Sequence, residues 1–539
     1  MAKRFTAIFF IVLGIVVFLT IAFFLVLMLA PGFSAFGLKY VAIGARKYDS
    51  GKVVITDEIG EFSGSVKIDV EEVPVYVYYT NTDYSISVKY HDDYSGFTKT
   101  NIDRPSLEIS KDNDGAAIIK AIGFKKFLFL NSNTSRYLSV YIPLTMVTGG
   151  ASGTKSLSIT SKSSDIEFHR ITDGEEAQNP KMNVIDLTTS GTITYNTRVV
   201  ANTFRLKTPN SIRIDSEYST VVEATNYDLQ SKSGRITAEI PIKGDFSAKT
   251  NLLDIRIVSC RNLTIQSIHG NVKCYNKEDK INVSGTVSIQ NKSGSVELGI
   301  VSGTGENIIN TTSGNVTINK IKNGSITTQR GSIRITSVNN MNISTNMGKV
   351  YVEESLEKVN ITTKRGNVVL GGNSMTVCNP TVFSRLGKIT VLSASETVNL
   401  ETIRSDINFT NKDSSNITIR AGKNLKATGL TGVVNVHVNK NADIEFSKIS
   451  NTSTIELADT CKSAVIKATN NTVGATRYIL SGALVTRYED NANGSGTYSK
   501  IESSADLTNK LSGTEPLLKV TGKNADISVY FMAENVEEE

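Results

Sequence analysis

One turn signature recurs along most of this chain: Ser or Thr, two variable residues, Gly, a polar residue, Ile or Val, a polar residue, then another apolar residue. Its glycine position, the anchor, falls at Ser164, Gly191, Asn210, Gly234, Leu253, Gly270, Gly294, Gly314, Gly331, Gly348, Gly366, Gly387, Ser405, Gly432 and Ser453. Ten of these fifteen are Gly, and twelve carry Ser or Thr three residues earlier, as at Thr188, Ser231 and Thr345. Every anchor is followed two residues later by Ile or Val and four residues later by an apolar residue. So strict a register, at spacings of 17 to 27 residues, demands a fold in which one structural unit is laid down again and again.

Each column of the signature has a physical role. Glycine supplies the positive φ that a sharp corner demands, and the Ser or Thr hydroxyl bonds nearby backbone inside that turn. The alternation after the corner points apolar side chains to one side of a strand and polar ones to the other. A second short alternating strand lies upstream of many corners, as in Met341-Asn342-Ile343 and Val359-Asn360-Ile361. The period is too short for propeller blades and suits the coils of a solenoid. Antiparallel hairpins in a sandwich or barrel would also alternate, but would not require one fixed corner register per twenty residues. The predicted fold class is all-β, a single-stranded parallel β-solenoid (β-helix) with an N-terminal transmembrane helix and a β capping region.

Four regions follow. Residues 1–48 form a membrane anchor and juxtamembrane segment, 49–147 an irregular β region that caps the solenoid, 148–480 the repeats, and 481–539 a C-terminal β cap with an acidic tail, Glu534 to Glu539. The anchor rests on the apolar run from Phe5 to Ala30, preceded by Lys3 and Arg4 and closed by Pro31 and Gly32, which is long enough to span a bilayer. Only a weak small-residue pair, Ala35 and Gly37, stands where a leader would be cleaved. Lys39, Arg46 and Lys47 balance Lys3 and Arg4 across the span, so flanking charge does not orient it. A first apolar segment acting as a signal anchor, in front of a polar, Cys-poor β protein, places the C-terminal β region outside a cell membrane that it crosses once.

The remaining composition excludes more than it suggests. Cys260, Cys274, Cys378 and Cys461 show no Cys-x-x-Cys spacing and the four histidines lie far apart, so neither metal site nor cofactor is expected. Cys274 takes the inward fourth position of its coil, and Cys260 is placed to meet it from a neighbouring one. A net charge of +6 on 539 residues gives no sign of nucleic-acid binding. Neighbouring acids such as Asp92-Asp93 and Glu353-Glu354 point to opposite faces of a strand and cannot act as a catalytic pair there. Together with the lack of Gly-x-Ser-x-Gly, His-Glu-x-x-His and phosphate-loop motifs, this ranks a polysaccharide-active β-helix enzyme low. One constellation does stand out: Arg330, Arg334, Lys349, Lys364, Arg365, Arg385, Lys388 and Arg404 fall beside the corner in successive coils, a stripe suited to an anionic polymer. Glu353, Glu354 and Glu357 nearby argue against it.

The strand Leu138-Ser139-Val140-Tyr141-Ile142-Pro143, followed by repeats such as Thr311-Thr312-Ser313-Gly314-Asn315-Val316-Thr317-Ile318, resembles the bacterial "putative adhesin" β-solenoids, a family without an assigned function. The resemblance covers the chain from about residue 50 onward. It implies a membrane segment and attachment, with envelope-stress sensing in some members; the chain's own features are read as a non-enzymatic, membrane-anchored surface protein that binds a cell-wall or host glycan or another surface protein, with envelope-stress sensing or scaffolding through protein contacts as the alternative. It carries over no ligand site.

Overall fold

The computed structural model describes the chain except residues 1, 30–40, 81–84, 100–104, 124–131, 144–154, 170–180, 198–199, 216–222, 276–280, 373, 492–495, 510, 512–515 and 533–539. Pro31, Ala35, Gly37, Lys39 and the acidic stretch Glu534–Glu539 therefore lie outside the described residues. Two compact units result, Met1–Ser211 and Ile212–Glu539, and the elements of both are almost all strands.

The first unit opens with helix Ala2–Leu29. Phe9, Phe10, Leu13, Phe18 and Leu19 on it are all exposed, so these side chains enter no core. Among the described residues no helix is long and apolar enough to cross a membrane.

Coils begin at Ser65 in this unit. Strands Ser65–Val70 and Val75–Thr80 form a coil on which Ser156–Ser161 and Ile166–His169 stack in parallel, pairing Val66 with Leu157 and Val75 with Ile166. Lys181–Thr189 and Ile193–Tyr195 add the next coil. On the opposite side, Ala117–Ile122 and Ser132–Pro143 also pair in parallel with the Ser65 coil. Parallel stacking then stops, because Ser106–Lys111 and Ser87–Lys99 pair antiparallel with that outermost layer and Val41–Asp49 pairs antiparallel with Ser87–Lys99. Antiparallel closure keeps a naked solenoid edge from templating further strands. Between these closing strands Arg136 Nη2 lies 3.0 Å from Asp92 Oδ2, both side chains buried, and the buried Tyr90 hydroxyl donates to Asp92 at 3.1 Å.

In the second unit each coil has a lead strand before the corner, an exit strand after it and a third side. All three send apolar residues inward. One coil contributes Ile333, Ile335, Val338, Met341 and Ile343, each at most 2% exposed, and its successor stacks Val350 on Ile333 and Val359 on Met341. A lone coil has nothing to cover that face, so stability accrues between neighbours. At the far end, Leu517–Met532 inserts between Ser453–Leu457 and Arg477–Asp490, pairing in parallel with both. Tyr498–Thr508 then closes the stack antiparallel against Arg477–Asp490.

The corner hydroxyls act as the sequence suggests. Gly331 N–H donates to Thr328 Oγ1 at 3.0 Å and Gly348 N–H to Thr345 Oγ1 at 3.0 Å, while Thr363 Oγ1 donates to the Gly366 carbonyl at 2.8 Å. At Gly191 and Asn210 the corner is one residue shorter, so the hydroxyl comes from Thr189 rather than Thr188, and from Thr208. Beyond the corner, asparagine side chains tie coil to coil: Asn315 Oδ1 accepts from Ser332 N–H at 2.9 Å and Asn367 Oδ1 from Lys388 N–H at 2.9 Å.

The glycines themselves require correction. Gly314, Gly331, Gly348, Gly366 and Gly387 do not have positive φ; among the anchor glycines Gly294 and Gly432 do, at 135° and 73°. What excludes a side chain is close approach between coils, because a Cβ on Gly331 would lie 1.8 Å from the Gly314 carbonyl oxygen and one on Gly348 1.7 Å from that of Gly331. Two anchors are also misplaced. Val434 and Val436 stack on Ile417 and Ile419, and Ser453 on Val434, so Gly432 and Ser453 introduce lead strands, not exit strands. The exit column runs instead through Ile407, Leu425, Ala442 and Ala464.

Two polar details carry consequences. Cys260 and Cys274 are buried free thiols, and the Cys274 sulfur beside it, with burial, pushes the Cys260 thiol up. Asp245 accepts from Arg261 Nε at 2.7 Å and Asn262 Nδ2 at 2.8 Å on the next coil, and the Arg261 guanidinium holds its carboxyl below the usual range. A depressed carboxyl stabilises the fold above its unfolded value, about 3.9, and that contribution disappears as pH falls through the lower folded value. Asp245→Asn is therefore expected to shrink the loss of stability on acidification below about pH 4, followed by chemical denaturation across that range.

Candidate functional site

The corner of the second unit places its side chains in rows, because parallel in-register coils repeat at about 4.8 Å. Two corner residues of each coil point outward. In the first row Gln329, Asn346, Lys364, Arg385 and Ile403 succeed one another, and in the second Arg330, Met347, Arg365, Leu386 and Arg404, joined by backbone bonds such as Arg365 N–H to Asn346 O and Arg404 N–H to Arg385 O. Lys349 and Lys388 follow the corner glycines. Seven of the eight cations singled out in the sequence thus share one edge, and Arg330, Lys349, Lys364, Arg365, Arg385 and Arg404 are exposed, with Lys388 half-buried.

Arg334 does not belong to that edge. It lies on the outer face of an exit strand, 3.1 Å from Glu353 and with its guanidinium 4.8 Å from the centre of the Tyr351 ring. The neighbouring acids are engaged on the third side: Glu354 accepts from Ser337 Oγ at 2.8 Å and Glu357 from Asn339 Nδ2 at 3.1 Å. Among the described residues none of the seven edge cations has an ion pair with a carboxylate. Asp406, beside Arg404, spends Oδ1 on the Asn424 backbone and side-chain N–H groups.

The edge extends beyond what the sequence pattern indicated. Lys423 N–H bonds Ser405 O, Lys440 N–H bonds Lys423 O and Lys462 N–H bonds Lys440 O, so three further exposed lysines continue the edge from the anchor position Ser405, beside the two rows. They escape the signature because the corner after Ala421 is short and the misplaced anchor at Gly432 draws attention to the wrong strand. Their signal is a Lys immediately before Asn424, Asn441 and Ser463.

Two open grooves flank this edge on the lead-strand face. One, of about 620 Å³, is lined by Lys249, Gln266, Gln290, Asn310, Lys292 and Gln329 among others, with no carboxylate. The other, of about 390 Å³, holds Glu401, Arg420, His437 and Glu456. These four sit on consecutive coils, so the glutamate backbones are about 14 Å apart at 4.8 Å per coil. Arg420 and His437 stand on the two coils between them. His437 Nδ1 is 3.7 Å from Glu456 and its Nε2 3.0 Å from Asn439 Oδ1. Among the described residues no group of three His, Cys, Asp or Glu side chains is placed to hold a metal ion.

Comparison with known proteins places this architecture. The solved structures that align with it include "a putative cell adhesion protein" from Clostridium sporogenes, 11% identical, covering 47% of this chain and 98% of its own at a TM-score of 0.21, and "a putative adhesin" from Bacteroides fragilis, 12% identical, covering 66% and 98% at 0.17. At such scores neither bears on what this chain does. A search of curated proteins returns no match. The family model described as Toastrack DUF4097 matches residues 64–371, from the residue before the first coil at Ser65 to the residue after exit strand Val368–Leu370. Since that match spans more than half of the 539 residues, the chain belongs to the Toastrack DUF4097 family.

Proposed function

We propose that this protein is a non-enzymatic, membrane-tethered surface protein whose solenoid coils present a cationic edge to an anionic partner outside the cell, such as a wall or host glycan. The observation that carries the reading is the row of exposed cations without carboxylate partners. Charges that served only solubility would be interspersed with acids, whereas this edge concentrates one sign on successive coils. The apolar helix with exposed side chains supports tethering, with the β region on the outer side of a single membrane crossing. End-to-end scaffolding by coil stacking is disfavoured by the antiparallel strands that close the stacks at Ser87–Lys99 and Tyr498–Thr508.

Full-length protein in neutral detergent micelles is expected to bind isolated cell walls and soluble dextran sulfate at low salt and to release them as the screening length shrinks from about 10 Å at 0.1 M to about 3 Å at 1 M. Combined Arg330→Glu, Arg365→Glu and Arg385→Glu should weaken both interactions at least about tenfold, measured by sedimentation with walls and by titration with the polymer. Unchanged binding by the triple variant would exclude this edge as the contact surface.

A further inference from the structure

The edge is not uniformly cationic. In its second row Arg330, Met347, Arg365, Leu386 and Arg404 alternate cation with hydrocarbon over five successive coils, and Ile403 stands beside Arg404. Met347 is 49% exposed, Leu386 39% and Ile403 46%. Other positions of the same coils bury Ile and Val completely, so these apolar residues are not displaced core. They face solvent at the positions where a soluble protein gains most from a polar residue, and they lie between cations that have no carboxylate partner. The positions are also held: the backbone N–H groups of Met347, Leu386 and Ile403 bond carbonyls of the preceding coil, at Gln329, Lys364 and Ser384.

We propose that this edge docks lengthwise on an anionic lipid bilayer, with Arg330, Arg365 and Arg404 at the level of the lipid phosphates and Met347, Leu386 and Ile403 entering the boundary between headgroups and acyl chains. The inference rests on the reading of the cationic edge as a contact surface and names its partner. A dissolved polyanion gains from the cations but nothing from hydrocarbon between them. A bilayer interface takes both, since apolar side chains gain by leaving water while long cationic side chains keep their heads among the phosphates. Membrane-surface helices achieve the same composition around a 3.6-residue turn. Here the coil stack achieves it from coil to coil, with cations of one row two coils apart, about 9.6 Å. Lys423, Lys440 and Lys462 extend the attraction over the following coils, beside that row.

The chain contains no tryptophan, so one introduced indole reports its own surroundings. Leu386→Trp places it on the edge, and Leu356→Trp, at a side chain 49% exposed in the turn between Val350–Ser355 and Val359–Thr363, provides the control. Both variants are used full-length, so any contribution of helix Ala2–Leu29 is common to them. They are mixed with phosphatidylcholine vesicles with or without phosphatidylglycerol, made from ordinary or brominated lipids, and in parallel with dextran sulfate. The expected result is blue-shifted, bromine-quenched indole emission from the Leu386→Trp variant on phosphatidylglycerol vesicles alone, with the control unquenched. Charge reversal of Arg365 and Arg404 should lower the quenched fraction about twentyfold or more, at roughly fivefold per cation removed from an anionic surface. Salt-sensitive binding of dextran sulfate with no quenching at Leu386→Trp would overturn bilayer docking while leaving an anionic partner in place. Binding to neither vesicles nor polymer would overturn both.

Discussion

Gly348→Ala is expected to destabilise the second unit by about 4 kcal/mol or more, in the range reserved for changes that the fold cannot absorb. The added methyl would lie 1.7 Å from the Gly331 carbonyl oxygen and 2.4 Å from its carbon, so the obstruction is backbone rather than a side chain that can rotate away. Relief requires the two coils to separate. That separation breaks the bonds closing the same corner, Ile333 N–H to Lys349 O at 2.8 Å and Met347 N–H to Gln329 O at 3.1 Å. Urea denaturation measures the cost, and hydrogen exchange should show protection lost in coils on both sides, because each depends on its neighbour. Gly372→Ala is the matched control. Its nearest neighbour would be Met375 Cβ at 3.8 Å, and its effect should stay within about 0.5 kcal/mol. A cost below about 1 kcal/mol at Gly348 would show that close approach does not select glycine there.

Arg136→Ala should cost about 3 to 5 kcal/mol through a different cause, a buried charge deprived of its partner. Asp92 has no exposed surface and stands opposite Arg136 in the antiparallel pairing of Ser87–Lys99 with Ser132–Pro143. Burial and the Asp92 charge also push the Tyr90 phenol well above its usual range, so that hydroxyl remains a donor and only partly replaces the guanidinium. Replacing both charges together, Asp92→Leu with Arg136→Met, should recover most of the loss, because well-packed apolar pairs commonly match buried ion pairs in stability. Denaturation of the three variants, with hydrogen exchange in the two closing strands, tests this. Equal losses in the single and double variants would mean that packing, not charge, is what Arg136 provides.

The residues that the sequence disclosed are those whose cause is local. Ile333 and Ile335 announce an inward face by alternation alone, and Thr328 and Thr345 mark corners because their hydroxyls bond backbone three residues away. Gly331 was locatable but not explicable from its own turn, since the carbonyl that forbids its side chain belongs to Gly314, seventeen residues earlier. Gly432 deceived for a related reason: lead and exit strands alternate alike, so Gly-x-Val-x-Val fits either side of a coil. The Ser65 coil was hidden because its corner, Glu71-Glu72-Val73-Pro74, has no glycine and its stacking partner Leu157 lies ninety-one residues from Val66. At the edge, the cations were legible as charge. Their alternation with Met347 and Leu386, and the separation of Arg334 from them, depend on which side chains share a row, a property of stacking that no single repeat displays.

The coil-to-coil bonds of the second unit run along its stacking direction, which determines how that unit would respond to a pull. Force applied along the stack loads the bonds between one pair of coils, as between Ile333 and Lys349, without sharing the load with bonds farther away. Failure would proceed coil by coil. Each seventeen-residue coil released, such as Ser332–Gly348, would give up about 4.8 Å of stack and yield roughly 58 Å of extended chain. A domain of this construction tethered between a cell and a surface would lengthen in discrete steps under flow, dissipating tension before the attachment at either end had to bear it.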